Sequence, residues 1–211
     1  MSDVTLFDFW RSSASYRCRI ALNLAGIEYT SVPVDLPTRE HRTDAHLARN
    51  PQGFVPVLDI DGLRLTQSLA ILDYLDSTRH LGLLPSEPGP RAMSMALAHS
   101  IAVDIHPVCN LQVAQAAVEL SGDGEERGRW MRRFGRPGMV AFETLLSGFP
   151  EAPFCTGETP GLADLCLMPQ IYNCRRWEIE ISDLPRTMAV VATCEAHPAF
   201  VAAHPDASQP G

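Results

Sequence analysis

The stretch VTLFDFWRSSASYRCRIALNLAGIEYTSVPVDL, residues 4–36, decides the beginning of the fold. Its first part, VTLFDF (4–9), combines apolar and β-branched residues in a pattern typical of a strand. A helical pattern occupies residues 12–24, and Gly26 stands where a glycine commonly ends a helix. A second β-branched run, IEYTSVPVDL (27–36), predicts another strand. The resulting β-α-β unit implies two parallel strands joined by a right-handed crossover.

The following segment predicts a hairpin and then a helix. Residues 37–50 are polar and indicate a loop with a short helix. VPVLDI (55–60) and LRLTQ (63–67) flank an Asp-Gly pair, which is typical of a two-residue hairpin turn. SLAILDYLD (68–76) predicts a helix with Ser68 as its N-cap. The predicted order is therefore β-α-β-(α)-β-β-α.

A polar break, SEPGPR (86–91), separates this part from a helical remainder. We therefore predict an α/β domain over residues 1–85, a linker over 86–90 and an all-helical domain over 91–211. The end of the chain, residues 203–211, is predicted to be frayed. The predicted helices of the second domain cover residues 91–119 with a kink at Pro107, 125–147, 162–176 and 183–195.

Composition excludes several classes of protein. The chain has 211 residues, 45% of them apolar, and a net charge of −8, which describe a globular rather than a disordered protein. The acidic balance argues against nucleic acid as the main partner. No apolar run approaches the roughly 18 residues of a membrane span, and no export signal is recognised, so a cytoplasmic location is predicted.

The cysteines and histidines do not indicate a metal site. The six cysteines are scattered among apolar neighbours and form no C-x-x-C pair, which predicts reduced, buried thiols. His41 and His46 lie five residues apart, a poor spacing for shared metal ligation on a helix.

The turn WRSSASYR (10–17), between the first strand and the first helix, is the first candidate binding site. Backbone N–H groups and the helix dipole favour an anion at a helix start, and a thiolate is such an anion. The hydroxyl of Ser12 would add one hydrogen bond. Plain N-capping by serine is the alternative interpretation.

Two further strand ends carry polar groups. Val55-Pro56 opens a strand, where a cis bond would leave the Val55 backbone free to pair with an extended peptide; a structural turn is the alternative. Gln67 and Ser68 precede a helix and would hold a carboxylate, or simply cap the helix. Three such sites at neighbouring strand ends predict a pocket for a small, extended, doubly carboxylated peptide with a thiol. Glutathione fits that description. Neither a Gly-rich phosphate loop nor a G-x-S-x-G nucleophile turn occurs.

The runs SSASYRCRIALNLAGIEY (12–29) and NPQGFVPVLDIDGLRLTQSLAILDYLD (50–76) resemble the zeta class of glutathione transferases. DIHPVCNL (104–111) and GETPGLADLCLMPQIYNCRRW (157–177) extend the resemblance over essentially the whole chain. The class includes maleylacetoacetate isomerases and bacterial maleylpyruvate isomerases. The resemblance implies a thioredoxin-like N-terminal domain, an all-helical C-terminal domain, a homodimer and a cis Pro56.

The resemblance also implies a set of site residues. Ser12 would hydrogen-bond the glutathione sulfur, and Arg11 and Arg176 would hold the carboxylates of the substrate. A solvated helix end is the alternative for Arg176. His106 and Asn110, four residues apart and so on one helical face, would form a wall of the site; a core histidine is the alternative for His106. The remaining glutathione contacts would be Gln67 and Ser68 to the γ-glutamyl end, Val55 to the cysteinyl part, and His41 and Gln52 to the glycyl end.

Three positions depart from the family pattern. Ala14 stands where many members have cysteine, which leaves glutathione as the sole thiol. Leu111 and Gln112 replace basic residues of the maleylpyruvate isomerases, which favours maleylacetoacetate as the substrate. Gly161 replaces the usual Ser or Thr N-cap, and Asp164 is expected to help the helix start.

These residues predict a glutathione-dependent cis-trans isomerase acting on maleylacetoacetate or maleylpyruvate, a small dicarboxylate. The first alternative is a transferase that conjugates or dehalogenates small electrophiles such as α-halo acids. A non-catalytic binding protein with this fold is a second alternative, disfavoured because Ser12, Gln67 and Ser68 are intact. A disulfide oxidoreductase would need a cysteine in the SSAS turn, which has none.

Overall fold

A four-stranded mixed sheet organises the first part of the protein. The computed structural model describes residues 4–209. Strands β1 (Thr5–Asp8) and β2 (Thr30–Pro33) are parallel, which confirms the predicted β-α-β unit. Strands β3 (Val57–Ile60) and β4 (Leu63–Thr66) are antiparallel to each other, and the order in the sheet is β2-β1-β3-β4.

Local residue choices explain the bounds of these elements. Helix α1 (Ser13–Leu24) ends where predicted, because Gly26 adopts a φ of 64° and its N–H donates to the carbonyl of Asn23 at 3.1 Å. The hairpin turn also forms as predicted. Asp61 (φ 52°) and Gly62 (φ 75°) both have positive φ, as a type I′ turn requires.

The sheet has two unequal faces. Leu6 and Leu58, directly opposite each other on β1 and β3, are fully buried. Helix α1 packs against helix α3 (Ser68–Arg79), and both carry fully buried apolar residues. Alternation along the strands places Phe7 and Val57 in a smaller apolar cluster with Val34.

The segment before β3 is a loop with one 3₁₀ turn (Glu40–Arg42) and the short helix α2 (Asp44–Leu47), as expected.

The prediction that Ser68 is the N-cap of α3 is wrong by one residue. Gln67 is the N-cap, and Ser68 is the first helical residue and is buried. The difference arises because Gln67 adopts a positive φ of 66°, which ends the strand and starts the helix within one residue.

The chain divides into two compact units, and their bounds differ from the predicted domains. The first unit comprises the described residues up to Gly82 together with those from Ala196 onward, and the second runs from Leu83 to Glu195. The described part of the tail belongs to the first unit and forms helix α10 (Pro198–Ala203) and a 3₁₀ turn (Pro205–Ser208). The expectation that residues 203–211 are frayed is therefore wrong for residues 203–208, and residues 210 and 211 lie outside the described residues.

Specific contacts hold this tail on α1. The Nε of Arg19 donates to the carbonyl of Ala203 at 3.0 Å, and the side-chain amide of Asn23 donates to the carbonyl of Ala199 at 3.0 Å. Ala203 is fully buried. Local sequence patterns do not predict that the tail packs against α1, because these residues lie far apart along the chain.

The second unit consists of helices. The predicted linker ends early, because Pro88 already begins the first helix. A π-helical segment (Ser100–Ile105) follows that helix. The expected single helix over 91–119 is interrupted at Cys109 and Asn110, beyond Pro107. The helices of this unit are α4 (Pro88–His99), α5 (His106–Val108), α6 (Leu111–Ser121), α7 (Glu126–Leu146), α8 (Leu162–Arg176) and α9 (Pro185–Ala196).

Asp164 supports the start of α8, as expected from the sequence. Its Oδ2 accepts the N–H of Gly161 at 2.8 Å, and its Oδ1 accepts the N–H of Cys155 at 2.9 Å. All six cysteines are free and buried, which confirms the predicted burial of the thiols.

One stretch of this unit, Pro88–Ser121, is long and apolar enough by composition to cross a membrane, with a mean hydropathy of 1.2 and 33% of its apolar window buried. Helices in the core of a globular protein satisfy the same criterion. The break at Cys109 and Asn110 also divides the stretch. The absence of a membrane span thus stays a prediction.

Candidate active site

Strand register places three of the predicted binding segments at one end of the sheet. Phe7 near the end of β1 lies opposite Val57 at the start of β3, and Val57 lies opposite Thr66 at the end of β4. The turn after β1, the Val55-Pro56 bond before β3 and the Gln67-Ser68 pair after β4 therefore share that end. The sequence prediction that these segments are neighbours follows from this topology.

Ser12 is the N-cap of α1. Its Oγ accepts the N–H of Ser15 at 3.2 Å, while its own N–H donates to the carbonyl of Phe9 at 2.8 Å. Because a hydroxyl that accepts from inside the protein keeps its proton for another acceptor, Ser12 can donate to an anion at the helix start. Capping and anion binding, weighed as alternatives in the sequence, are thus compatible in one side chain.

Arg11 is placed beside this turn by aromatic contacts. Its guanidinium carbon lies 4.7 Å from the ring centroid of Trp10 and 5.7 Å from that of Phe9. The Arg11 Nε is buried and has no hydrogen-bond partner among residues 4–209. Arg11 precedes Ser13, the first residue of α1, by two positions, and these contacts hold its guanidinium against the rings of Phe9 and Trp10.

The Val55-Pro56 peptide bond is cis, as the family resemblance implied. The preceding carbonyl, that of Phe54, is held from inside by Asn50 Nδ2 at 3.0 Å and by His46 Nε2 at 3.0 Å. Since a carbonyl only accepts, the Nε2 of His46 carries the proton. Within residues 4–209, neither the N–H nor the C=O of Val55 has a hydrogen-bond partner, so both are available to an extended peptide.

Gln67 and Gln52 touch each other. The side-chain amide of Gln67 donates to the Oε1 of Gln52 at 2.7 Å. Gln52 is anchored in turn, because its backbone N–H donates to the side-chain oxygen of Asn50 at 3.1 Å. The residues assigned to opposite ends of glutathione therefore belong to one connected group.

Ser68 is hydrogen-bonded to a residue of α1. It is buried, and its Oγ accepts a hydrogen bond from Nη1 of the buried Arg17 at 3.0 Å. As the first residue of α3, it also has an N–H without an intrahelical acceptor.

His41 lies in the 3₁₀ turn close to Gly53. A Cβ at Gly53, whose φ is 64°, would come within 2.9 Å of the His41 carbonyl, so this approach requires glycine. Burial, followed by the charge of neighbouring Arg42, lowers the pKa of His41 below its ordinary value of 6.5. This shift favours the neutral form of the His41 ring in the free protein.

The predicted site residues of the second unit are not arranged as expected. His106 begins α5, whereas Asn110 lies beyond the end of that helix and is the N-cap of α6. The Oδ1 of Asn110 accepts the N–H of Val113 at 3.0 Å. The idea that His106 and Asn110 share one helical face is thus wrong, because the side chain of Asn110 starts a new helix.

Arg176 is the last residue of α8, and its guanidinium carbon lies 4.8 Å from the ring centroid of Trp177. It lines a cavity of about 550 Å³ in the second unit. Cations outnumber carboxylates around this cavity, whose charged residues are Arg127, Arg132, Arg176, Glu125 and Glu178.

Among residues 4–209, no group of three or more His, Cys, Asp or Glu side chains has the arrangement of a metal site.

Comparison with known proteins identifies the family. A family model described as the N-terminal domain of glutathione S-transferase matches residues 2–77. Maleylacetoacetate isomerase of Rhizobium meliloti (strain 1021) is 53% identical over 99% of both chains. A holo structure of maleyl pyruvate isomerase, described as a bacterial zeta-class glutathione S-transferase, is 38% identical, covers 98% of both chains and superposes with a TM-score of 0.93. The chain belongs to the zeta-class glutathione transferases.

One further solved zeta-class relative bears on the chemistry. It is maleylacetoacetate isomerase from Anaeromyxobacter dehalogenans 2CP-1 with dicarboxyethyl glutathione and citrate in its active site. That protein is 36% identical, covers 100% of this chain and 98% of its own, and has a TM-score of 0.86. The predicted glutathione transferase fold, with an α/β N-terminal part and helices after it, is confirmed for this zeta-class chain.

Several residues of this zeta-class protein that shape the site were missed in the sequence. Arg17 was not singled out, because residues 15–22 of α1 are all buried and no polar face remains to identify it. From the sequence, Asn50 is predicted only to be a loop residue, and His46 is considered only as a metal ligand. Both are buried polar side chains (1% and 2% exposed), and their spacing of four before the Val55-Pro56 segment was the available signal. Arg127 and Arg132 lie in a charged helical stretch without a distinguishing pattern.

Proposed function

We propose that this protein is a glutathione-dependent cis-trans isomerase of maleylacetoacetate or maleylpyruvate. The observation that carries the proposal is the set of polar groups at one end of the sheet, with Ser12 at the start of α1. Its support from relatives is the 53% identity to a maleylacetoacetate isomerase over nearly the whole chain. The dicarboxyethyl glutathione of the Anaeromyxobacter relative adds that a glutathione thioether with two carboxylates fits a site of this class.

Glutathione fits the residues of the first unit. The Val55 backbone N–H and C=O are available to its cysteinyl part, and Gln67 with Ser68 would hold the γ-glutamyl carboxylate. His41 and Gln52 would contact its glycyl end. When bound, glutathione supplies a thiolate that adds to the cis double bond, lets it rotate as a single bond, and leaves unchanged.

Ser12 and the first turn of α1 prepare this chemistry. A thiol has an ordinary pKa of about 8.5, and helix N-termini lower such values towards neutrality. The hydroxyl of Ser12, with its oxygen already accepting from Ser15, would donate one hydrogen bond to the sulfur. Both effects favour the anion over the thiol.

Arg11 and Arg176 are the proposed cations for the substrate. Two carboxylates are ionised at neutral pH, and further negative charge develops on a substrate carbonyl oxygen when a nucleophile adds to the conjugated double bond. Arginine holds carboxylates by paired hydrogen bonds and stabilises such developing charge. Because the protein as a whole has a net charge of −8, an anionic substrate needs local cations. His106 and Asn110 remain proposed as lining residues of the site.

The proposal includes a cytoplasmic homodimer without nucleic acid or membrane partners. Six free, buried cysteines suit a reducing compartment. The homodimer is proposed from the resemblance to the zeta class.

The test is isomerisation of maleylacetoacetate and of maleylpyruvate, with and without glutathione, while free thiol is counted. We expect turnover only with glutathione and no loss of thiol, with the larger kcat/KM for maleylacetoacetate because Leu111 and Gln112 are not cationic. Absence of turnover on both acids, with thiol lost to an α-halo acid or a chloro-aromatic electrophile, would overturn the isomerase and identify a conjugating or dehalogenating transferase.

A further inference from the structure

Arg17 and Arg19 are both buried in α1, yet their surroundings differ. Arg19, 1% exposed, forms an ion pair with Asp8 at 2.7 Å and donates to the backbone carbonyls of Trp10 and Ala203. Among residues 4–209, the side chain of Arg17, 2% exposed, makes one hydrogen bond, from Nη1 to the Oγ of Ser68 at 3.0 Å. Its Nε is buried without a partner, and no carboxylate pairs with it among residues 4–209.

A buried cation without a counter-ion is costly, since its desolvation is not offset by an opposite charge. An anionic ligand that binds nearby would supply the missing negative charge. The hydrogen bond to Ser68 indicates where that ligand group would be.

The hydrogen bond also fixes the orientation of the Ser68 hydroxyl. A guanidinium only donates, so the Ser68 oxygen must accept from Arg17, and the hydroxyl proton points to another acceptor. The N–H of Ser68, in the first turn of α3, is a second donor without an intrahelical partner. Two donors backed by a buried positive charge suit a carboxylate.

We propose that Arg17 is a positioning residue for the α-carboxylate of the γ-glutamyl group, acting through Ser68. Arg17 holds the hydroxyl of Ser68 as a donor and supplies the charge that the carboxylate neutralises. The inference rests on the proposed function, in which Ser68 binds the γ-glutamyl end of glutathione. It adds a residue that does not itself touch the ligand.

The test combines affinity with stability in Arg17→Met, which removes the charge and keeps an apolar chain of similar length. Affinity is measured by calorimetry for S-methylglutathione and for S-methylcysteinylglycine, which lacks the γ-glutamyl residue. A lost hydrogen bond to a charged group corresponds to about tenfold in affinity or more. We expect that loss for S-methylglutathione and an unchanged Kd for the shorter peptide. Arg17→Lys is expected to restore most of the affinity.

Stability separates this role from a structural one. Since no carboxylate in the described part of the chain pairs with Arg17, Arg17→Met should keep or raise the Tm of the free protein. The matched control Arg19→Met should lower it, because Asp8 would be left buried and unpaired. In the Ser68→Ala background, Arg17→Met should have no further effect on the affinity for S-methylglutathione.

Three results would overturn the inference. They are an unchanged affinity for S-methylglutathione in Arg17→Met, an equal loss for both ligands, and a variant that loses stability or does not fold, as expected of a purely structural arginine. If the wild-type protein binds S-methylglutathione and isomerises its substrate while Arg17→Met does the same, only the inference fails. If the wild-type protein binds neither ligand, the proposed function fails with it.

Discussion

The side-chain amide of Gln67 donates a hydrogen bond to the Oε1 of Gln52 at 2.7 Å, and the backbone of Gln67 has a positive φ of 66°. Positive φ is uncommon for a residue with a side chain, and such conformations concentrate at binding sites, where the surrounding structure holds them. Here the turn from β4 into α3 brings the Gln67 side chain to the loop that carries Gln52. Gln67 thus combines an uncommon backbone conformation with a side-chain contact to Gln52.

Replacing Gln67 separates these two effects. Gln67→Ala and Gln67→Gly both remove the contact to Gln52, so both should weaken binding of S-methylglutathione to the same extent. The glycine variant should be more stable than the alanine variant by about 1 kcal/mol, because only glycine adopts positive φ without steric cost. Thermal unfolding of the two variants measures the difference, and equal Tm values would contradict strain at this position.

Ser12→Ala should lower kcat/KM and raise the pKa of the thiol of bound glutathione, since the hydrogen bond to the sulfur is lost. It should also reduce stability by about 1 kcal/mol, because the N-cap of α1 is lost. Ser12→Thr retains both functions, and Ser12→Asp retains the cap without a hydroxyl donor. The thiolate absorbance of bound glutathione against pH checks the prediction. Unaltered turnover in Ser12→Ala would remove this hydroxyl from the mechanism.

The affinity for S-methylglutathione should depend on pH through His41. Burial lowers its pKa below 6.5 in the free protein, while a glycyl carboxylate beside the ring would raise it in the complex. The complex then binds a proton more readily than the free protein, so affinity should rise as the pH falls through the pKa of His41 in the complex and level off at higher pH. The methylated sulfur does not titrate. His41→Gln should give a flat profile, and an equally flat wild-type profile would exclude the contact.

Asp164→Ala should be strongly destabilising. It leaves the buried N–H groups of Cys155 and Gly161 without acceptors, at about 1–3 kcal/mol each. We expect a loss of roughly 2–6 kcal/mol in the free energy of unfolding. Asp164→Asn keeps one oxygen acceptor and should lose less. Urea unfolding of both variants gives the comparison, and similar losses would mean that only one of the two bonds matters.

Arg176→Ala should raise KM for maleylpyruvate or maleylacetoacetate by about tenfold, the effect of losing one charge-assisted contact, with a smaller change in kcat. Arg175→Ala is the matched control at the same helix end, because Arg175 pairs with Glu195. Steady-state kinetics with an uncharged electrophile, 1-chloro-2,4-dinitrobenzene, completes the test. A comparable loss with that electrophile would contradict carboxylate binding by Arg176.

The part of the fold that follows from local rules could be predicted from the sequence. Gly26, Asp61 and Gly62 mark turns because positive φ is needed there, and alternating apolar residues identify the strands between them. The break between α5 and α6 was missed although Pro107 pointed to a disturbance. The side chain of Asn110 decides that break, and asparagine is equally common in turns.

The candidate site could be predicted in outline only. Neighbouring strand ends group the turn of Ser12 with Val55 and Gln67, since topology follows from the β-α-β unit and the hairpin. The contacts between side chains could not be predicted, because Gln52 and Gln67 are 15 residues apart and Arg17 and Ser68 are 51 apart. No periodic pattern links such distant positions.

The return of α10 to α1 has a consequence for how the chain folds during synthesis. The carbonyl of Ala203 that Arg19 holds is made 184 residues after the guanidinium that binds it. The sheet and α1 leave the ribosome early, yet Arg19 and Asn23 lack these acceptors until the helix that carries Ala199 and Ala203 has also emerged. The unit whose sequence is translated first is therefore the last to be completed, and a nascent or truncated chain that ends before Pro198 would leave it open to chaperones and proteases.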